Sequence, residues 1–257
     1  MSGWILLRGL TREARHWAEL PAMLREHGVV RAQERIALID LPGNGRHAAT
    51  AAPATVAGML ASVRAEARAT GISTPCRVLA MSLGGMVATA WAQQYPAEIE
   101  RLVLVNTSMR PFSTAAQRLR ADTWPDLLRL ARDWHDAQRC EARIHRLTCR
   151  RIDRADADIA AWTAIRASAP VSRANALRQL FAAARYRAHA GPPACATLVL
   201  SSAADALVDP ACSRTLARAW DTEHREHPWA GHDLPHDDPA WLAATVARWC
   251  AALDRKN

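Results

Sequence analysis

The 257-residue sequence has no apolar run near the ~20 residues a membrane helix needs; stretches such as 36–39 and 198–200 fall far short, which excludes a spanning helix. The first residues, Met1-Ser2-Gly3, lead straight into Trp4-Ile5-Leu6-Leu7 without the basic segment, longer apolar core and small-residue cleavage site of a secretory signal. A cytoplasmic location is expected. The six cysteines (Cys76, Cys140, Cys149, Cys195, Cys212, Cys250) contain no C-x-x-C pair and do not cluster with histidines. Neither a zinc site nor a disulfide framework is expected, and the thiols read as reduced and mostly buried. No internal repeat or low-complexity linker is visible. Lysine is nearly missing too: of 33 basic residues only Lys256 is not arginine.

What is present suits one globular domain burying roughly 70–75% of its extended-chain surface. The charge is unevenly placed. Residues 110–190 hold 16 arginines against 8 acidic residues, and the rest of the chain balances 17 against 17, so the net +8 belongs to one segment.

Along the first half, short apolar runs alternate with longer amphipathic ones, the pattern of a parallel sheet covered by helices. Strands are expected at 4–7, 35–40, 77–81 and 101–107, and helices at 14–27, 56–70 and 83–95. The run Leu102-Val103-Leu104-Val105 is apolar without alternation, as in a strand buried on both faces. Strand-like runs then vanish for some eighty residues. Helical periodicity carried by Trp124, Leu127, Leu130, Trp134, Trp162 and Ile165 replaces them. The α/β rhythm resumes with a strand at 197–200, a helix start at Asp209-Pro210, a strand at 223–227 and a helix at 239–253.

Four features carry chemistry. In Ala80-Met81-Ser82-Leu83-Gly84-Gly85 a strand ends on a serine and a glycine pair opens a helix. A serine in so sharp a turn needs small neighbours two residues away on each side, here Ala80 and Gly84, and it faces the positive end of the helix. Asp205 follows the strand at 197–200, and His232 follows Gly231 in a loop before the last helix, which gives the order Ser, Asp, His. Early on, Asp40-Leu41-Pro42-Gly43-Asn44-Gly45-Arg46 follows the second strand.

Over nearly its whole length the chain resembles the α/β-hydrolase superfamily. The resemblance implies that 40–46 is that superfamily's D-x-P-G-x-G loop, Ser82 the nucleophile, Asp205 the acid and His232 the base. It implies a core of residues 1–107 and 191–257, with 108–190 a helical cap, or lid. The chain begins near what would be the family's third strand, so a mostly parallel sheet of about six strands flanked by helices is expected. Two departures stand out. Arg8 in Leu7-Arg8-Gly9-Leu10 replaces the usual histidine, and Ala80 replaces the elbow's first glycine, as in some lipases of the family. The implied oxyanion hole is built from the backbone N–H groups of Leu10 and Leu83, so neither departure removes it.

Asp209 rivals Asp205, but aspartate directly before Pro210 reads as a helix cap. His236 rivals His232. The string 232–238 could suggest metal ligands, but Pro235 and Pro239 interrupt any helix that would present both histidines on one face, and no metal is expected. Arg8, Trp124, Trp134 and Trp162 are candidate substrate-binding residues, with solvated arginine and packed tryptophan as the plainer readings. The expected activity is hydrolysis of a carboxylic ester through an acyl-enzyme on Ser82, without a cofactor. The substrate is a small molecule or a carrier-bound acyl group, with the arginine-rich segment facing an acidic carrier protein and Arg150 and Arg151 among its contributors. A thioesterase, a lyase or C–C-cleaving enzyme, or a non-catalytic ligand-binding receptor of the same fold are the alternatives. No nucleic-acid-binding motif accompanies the basic charge, and no membrane partner is expected.

Overall fold

A computed structural model describes residues 2–255; Met1 and Lys256 of the sequence reading lie outside them. In chain order the elements are β1 (Gly3–Leu7), α1 (Leu20–Glu26), β2 (Arg35–Ile39), α2 (Val56–Ala69), β3 (Cys76–Met81), α3 (Leu83–Gln94), β4 (Ile99–Val105), α4 (Ala115–Arg118), α5 (Trp124–Arg132), α6 (Ala137–Thr148), α7 (Ala155–Ser168), α8 (Arg173–Arg185), β5 (Ala196–Ser202), α9 (Ala211–Trp220), β6 (Glu223–His227), α10 (Leu234–Asp237) and α11 (Pro239–Asp254). The six strands form one all-parallel sheet in the order β2-β1-β3-β4-β5-β6.

The missing alternation in the central strands has a direct cause. Successive side chains point to opposite faces, and both faces are covered. Ile5, Leu7, Val78, Leu102, Leu104 and Val199 pack with α2, α3 and α9 on one side. Trp4, Leu6, Leu79, Val103, Leu198 and Leu200 pack with α1 and α11 on the other.

The helix expected at 14–27 is broken. Ala14–Trp17 forms a single 3-10 turn closed by a capping box between Glu13 and His16, Ala18 takes φ 45°, and α1 begins afresh with a proline in its first turn. Between β4 and β5 the chain forms only helices and turns, apart from an isolated bridge between Arg110 and Arg187 near the two ends of the segment. Leu130, Cys140 and Leu147 make a small apolar cluster of its own.

A buried ionic network joins this helical segment to the core. Glu141 on α6 accepts from Arg12 at 2.6 Å and from Arg166 at 3.1 Å, and the Arg12 guanidinium lies 4.5 Å from the centre of the Trp162 ring. His16 is buried beside Arg12, and its Nδ1 accepts from the Glu13 N–H at 3.1 Å. Burial first, then the positive charges of Arg12 and Arg8, hold its pKa well below the ordinary histidine value. The unfolded chain therefore binds a proton that the folded chain refuses. Stability is complete above about pH 6.5 and declines as pH falls below it, by at most about 1.4 kcal/mol per pH unit for one such group. Thermal unfolding is expected to show a lower Tm at pH 5.5 than at pH 7.5, and His16→Gln to flatten that difference; equal slopes in both proteins would remove His16 from the cause.

Candidate active site

Ser82 is the one residue between β3 and α3, and the chain reverses there with φ 53° and ψ −120°, a strained conformation for a residue with a side chain. Neighbouring groups hold the strain in place. The Ser82 N–H donates to the Val105 carbonyl at 2.9 Å, and Thr107 Oγ1 donates to the Ser82 carbonyl at 2.8 Å. A Cβ on Gly84 would stand 2.5 Å from the carbonyl oxygens of Leu7 and Arg8, so only glycine lets the elbow lie against β1. On the other side Ala80 is fully buried with its methyl group accommodated.

The structure brings the three sequence-predicted polar residues together from distant loops. His232 Nε2 lies 3.1 Å from Ser82 Oγ, and His232 Nδ1 lies 2.7 Å from Asp205 Oδ2. The other carboxylate oxygen, Asp205 Oδ1, accepts from the N–H groups of Leu207 and Val208 at 2.8 and 2.9 Å. With a carboxylate at Nδ1, the imidazole is disposed to carry its proton there and turn the Nε2 lone pair to the hydroxyl. The arrangement can remove a proton from Ser82 and stabilise the resulting imidazolium.

The rivals lie elsewhere. Asp209 accepts from the Ala211 N–H at 2.8 Å at the start of α9. His236 is buried against Trp162, with ring centroids 4.9 Å apart.

The turn carrying Leu10 lies beside Ser82, where a Cβ on Gly9 would come within 3.0 Å of the serine Cβ. Among the described residues, no backbone or side-chain acceptor takes the N–H of Leu10 or Leu83, so both remain available to a negative oxygen.

From Ser82 a cavity of about 340 Å3 extends between the core and the helices α5, α6 and α8. Trp124, Leu127, Leu130, Trp134, Leu147 and Leu177 supply much of its wall. Trp124 and Trp134 thus stand where a substrate could touch them, but Trp162 does not: it is buried, packed against His16, His145 and His236. Arg8 also departs from expectation. It is neither solvated nor free for substrate, because NH1 and NH2 donate to the two carboxylate oxygens of buried Asp233 at 3.0 and 2.6 Å. Burial raises the Asp233 carboxyl pKa, but Arg8 overrides it and holds the net value below the ordinary one. The pair ties the turn before Leu10 to the residue after His232.

Sequence reading missed several residues that hold the site. Asn106, at φ 46°, donates through Nδ2 to the carbonyl of His232 at 2.7 Å. Its signal was an asparagine ending the apolar run of β4. Asp237 accepts from the N–H groups of Gly231, Arg150 and Arg151. Gln179 on α8 donates to Pro42 O at 3.0 Å and Asn44 Oδ1 at 2.8 Å and accepts from the Thr11 N–H, fixing α8 over the 40–46 loop. The contacts with Asp237 fix the backbone of Arg150 and Arg151, whose side chains are half-buried. Eight of the sixteen arginines in 110–190 make no ion pair among the described residues, and three of these, Arg173, Arg178 and Arg185, belong to α8.

The family model described as serine aminopeptidase, S33, matches residues 6–238. Over 88 residues the chain is 36% identical to a pimeloyl-[acyl-carrier protein] methyl ester esterase of Chromobacterium violaceum. That stretch is 34% of this chain and 30% of the esterase, so less than a third of the relative's length is matched. Among solved structures, the enol-lactonase from Burkholderia xenovorans LB400 superposes with a TM-score of 0.77 at 20% identity, covering 98% of this chain and 92% of that one. An esterase from Rhodococcus sp. ECU1013 gives a TM-score of 0.75 at 18% identity, with 98% and 91% covered. At such identities the likeness is one of fold.

Proposed function

Because the chain belongs to the serine aminopeptidase S33 family of α/β-hydrolases, we propose that it hydrolyses a carboxylic ester with an apolar acyl group through an acyl-enzyme on Ser82. The observation that carries this reading is the Ser82–His232–Asp205 relay, at 3.1 and 2.7 Å, opening on the apolar cavity. Ser82 Oγ attacks the acyl carbon as His232 Nε2 takes its proton. The N–H groups of Leu10 and Leu83 receive the oxyanion, and the imidazolium returns the proton to the departing alkoxide. Water, deprotonated by the same nitrogen, then attacks the acyl carbon and releases the acid. Residues 108–190 act as the cap over this reaction, and residues 1–107 and 191–257 as the catalytic core.

An aminopeptidase would need a negative group to receive the substrate's ammonium. Among the described residues, the one acidic side chain lining the cavity is that of Asp233, and Arg8 engages both its oxygens. That favours an ester over a peptide with a free amino terminus.

Each methylene that enters the cavity is worth about 0.8 kcal/mol, or about fourfold in kcat/KM. A graded series of p-nitrophenyl esters is expected to rise at that pace until the cavity fills. A flat series would place the acyl chain elsewhere. Thioesters run in parallel test the closest alternative, and absent turnover of every ester would favour a ligand-binding receptor.

A carrier-bound acyl ester is the finer reading. It rests on the activity named for the Chromobacterium relative and on Arg173, which lines the cavity beside the exposed Leu177 and Leu180, with Arg178 and Arg185 on the same helix. A one-signed field there speeds encounter with an acidic carrier and is screened by salt. The rate constant for a carrier-bound ester is expected to fall steeply with ionic strength and in Arg173→Glu/Arg178→Glu, while a short neutral ester barely responds. Parallel salt curves would leave the arginines without this role.

A further inference from the structure

Away from Ser82, at the junction of α6, α7 and α10, four buried titratable side chains converge. His145 and Cys149 stand four residues apart where α6 ends, and His236 approaches from α10. One ligating atom from each of the three lies within 4.8 Å of the other two, and all three residues are buried. Asp158 on α7 brings Oδ2 to 2.8 Å from His236 Nε2 and 3.6 Å from His145 Nε2. The spacing in sequence conceals the group, because His236 is far along the chain from Cys149.

The contacts among these groups are poorly aligned: although Asp158 Oδ2 stands 2.8 Å from His236 Nε2, it, both ring nitrogens of His236 and His145 Nε2 are buried without a well-directed hydrogen bond. Several unpaired polar atoms at one point call for a ligand that accepts lone pairs. Trp162 closes the group on one side, with ring centroids 4.9 Å from His236 and 5.4 Å from His145.

We propose that His145, Cys149 and His236 bind a divalent transition-metal ion of the zinc class, with Asp158 as the adjoining carboxylate. Two imidazoles and a thiolate are the donors preferred by zinc and its neighbours, and unlike those preferred by magnesium or calcium. The charges balance: a Cys149 thiolate and the Asp158 carboxylate together neutralise a divalent cation. Binding exchanges the Cys149 thiol proton for the metal, releasing one proton to solvent. The ion's role is to fasten. His236 follows His232 on the same loop, and the Asp233 N–H already donates to the carbonyl of Thr148 at 2.8 Å. A bound metal pins the base-bearing loop to the end of α6.

The test uses the full chain, stripped with a chelator. Titration with zinc against a chromophoric competitor is expected to give one tight site per chain and a rise in Tm. Cobalt should produce a thiolate-to-cobalt charge-transfer band. Cys149→Ser should abolish that band, and Cys149→Ser and His236→Gln should each weaken zinc binding at least about tenfold. Cys140→Ser, which alters a buried cysteine outside the group, should change neither. Substoichiometric binding, no thiolate band in the unaltered protein, or zinc affinity unchanged by Cys149→Ser would overturn the proposal. Should the variants fail to fold, the cobalt spectrum and the Tm shift of the unaltered chain decide it.

Discussion

Ser82→Ala is expected to lower ester turnover by a factor of roughly 10⁶, His232→Ala by a similar factor and Asp205→Asn by roughly 10⁴, with the double variant Ser82→Ala/His232→Ala no worse than either single one. The near-equality follows from the geometry. The 3.1 Å contact makes serine and histidine one proton-transfer unit, so losing either removes the whole of it. Asp205 acts one step back, by orienting and stabilising an imidazolium 2.7 Å away. Asp209→Asn is the contrasting control. Its contact with the Ala211 N–H marks a helix start, and weakening it should cost about 1 kcal/mol of stability at most with turnover retained. Steady-state kinetics on one short-chain ester, with mass spectrometry after a fluorophosphonate probe, checks the set. Label on another serine, or a larger effect at Asp209 than at Asp205, would remove the assignment.

Arg8→Ala should destabilise the protein by about 3–5 kcal/mol, because it strands the Asp233 carboxylate in a site where both partners of the pair are almost wholly buried. For a chain of this size that is a fall in Tm of roughly 10 °C. Replacing both partners with apolar residues of similar volume should recover much of the loss, since no charge is then left buried. The pair also has a pH signature. Arg8 holds the Asp233 pKa below that of the unfolded chain, so its stabilisation is present above about pH 4 and is lost as pH falls through the folded value. Denaturant unfolding of both variants from pH 7 to pH 3 measures this. A change in Tm below 2 °C for Arg8→Ala would show the pair to be dispensable.

The sheet, and the three residues that the structure brings together at Ser82, were legible because each left a local mark. A fully buried parallel strand must be apolar throughout, as Leu102–Val105 is, and a nucleophile elbow must have small residues beside its serine. The break at Ala18 was illegible, since the positive φ that ends the first turn falls on an alanine within an otherwise helical pattern. Arg8 misled for a different reason. Arginine is usually solvated, and its partner Asp233 lies 225 residues along the chain, where no spacing argument reaches. Gln179, Asn106 and Trp162 share that difficulty: their roles depend on which loop the fold lays against them.

The position of the helical segment in the chain also sets an order of events. Four neighbouring strands, β2-β1-β3-β4, come from the first 105 residues, whereas β5 pairs with β4 only after roughly 90 intervening residues. Closing that loop costs about 1.5 kcal/mol more entropy than closing the link between β3 and β4, and it waits on later synthesis as well. Ser82 belongs to the early part. Asp205 and His232 both follow β5, so a nascent or interrupted chain can display its strained serine without anything to deprotonate it. On the proposed mechanism, reactivity arrives only with the last quarter of the polypeptide, which makes labelling of Ser82 a report on completed folding.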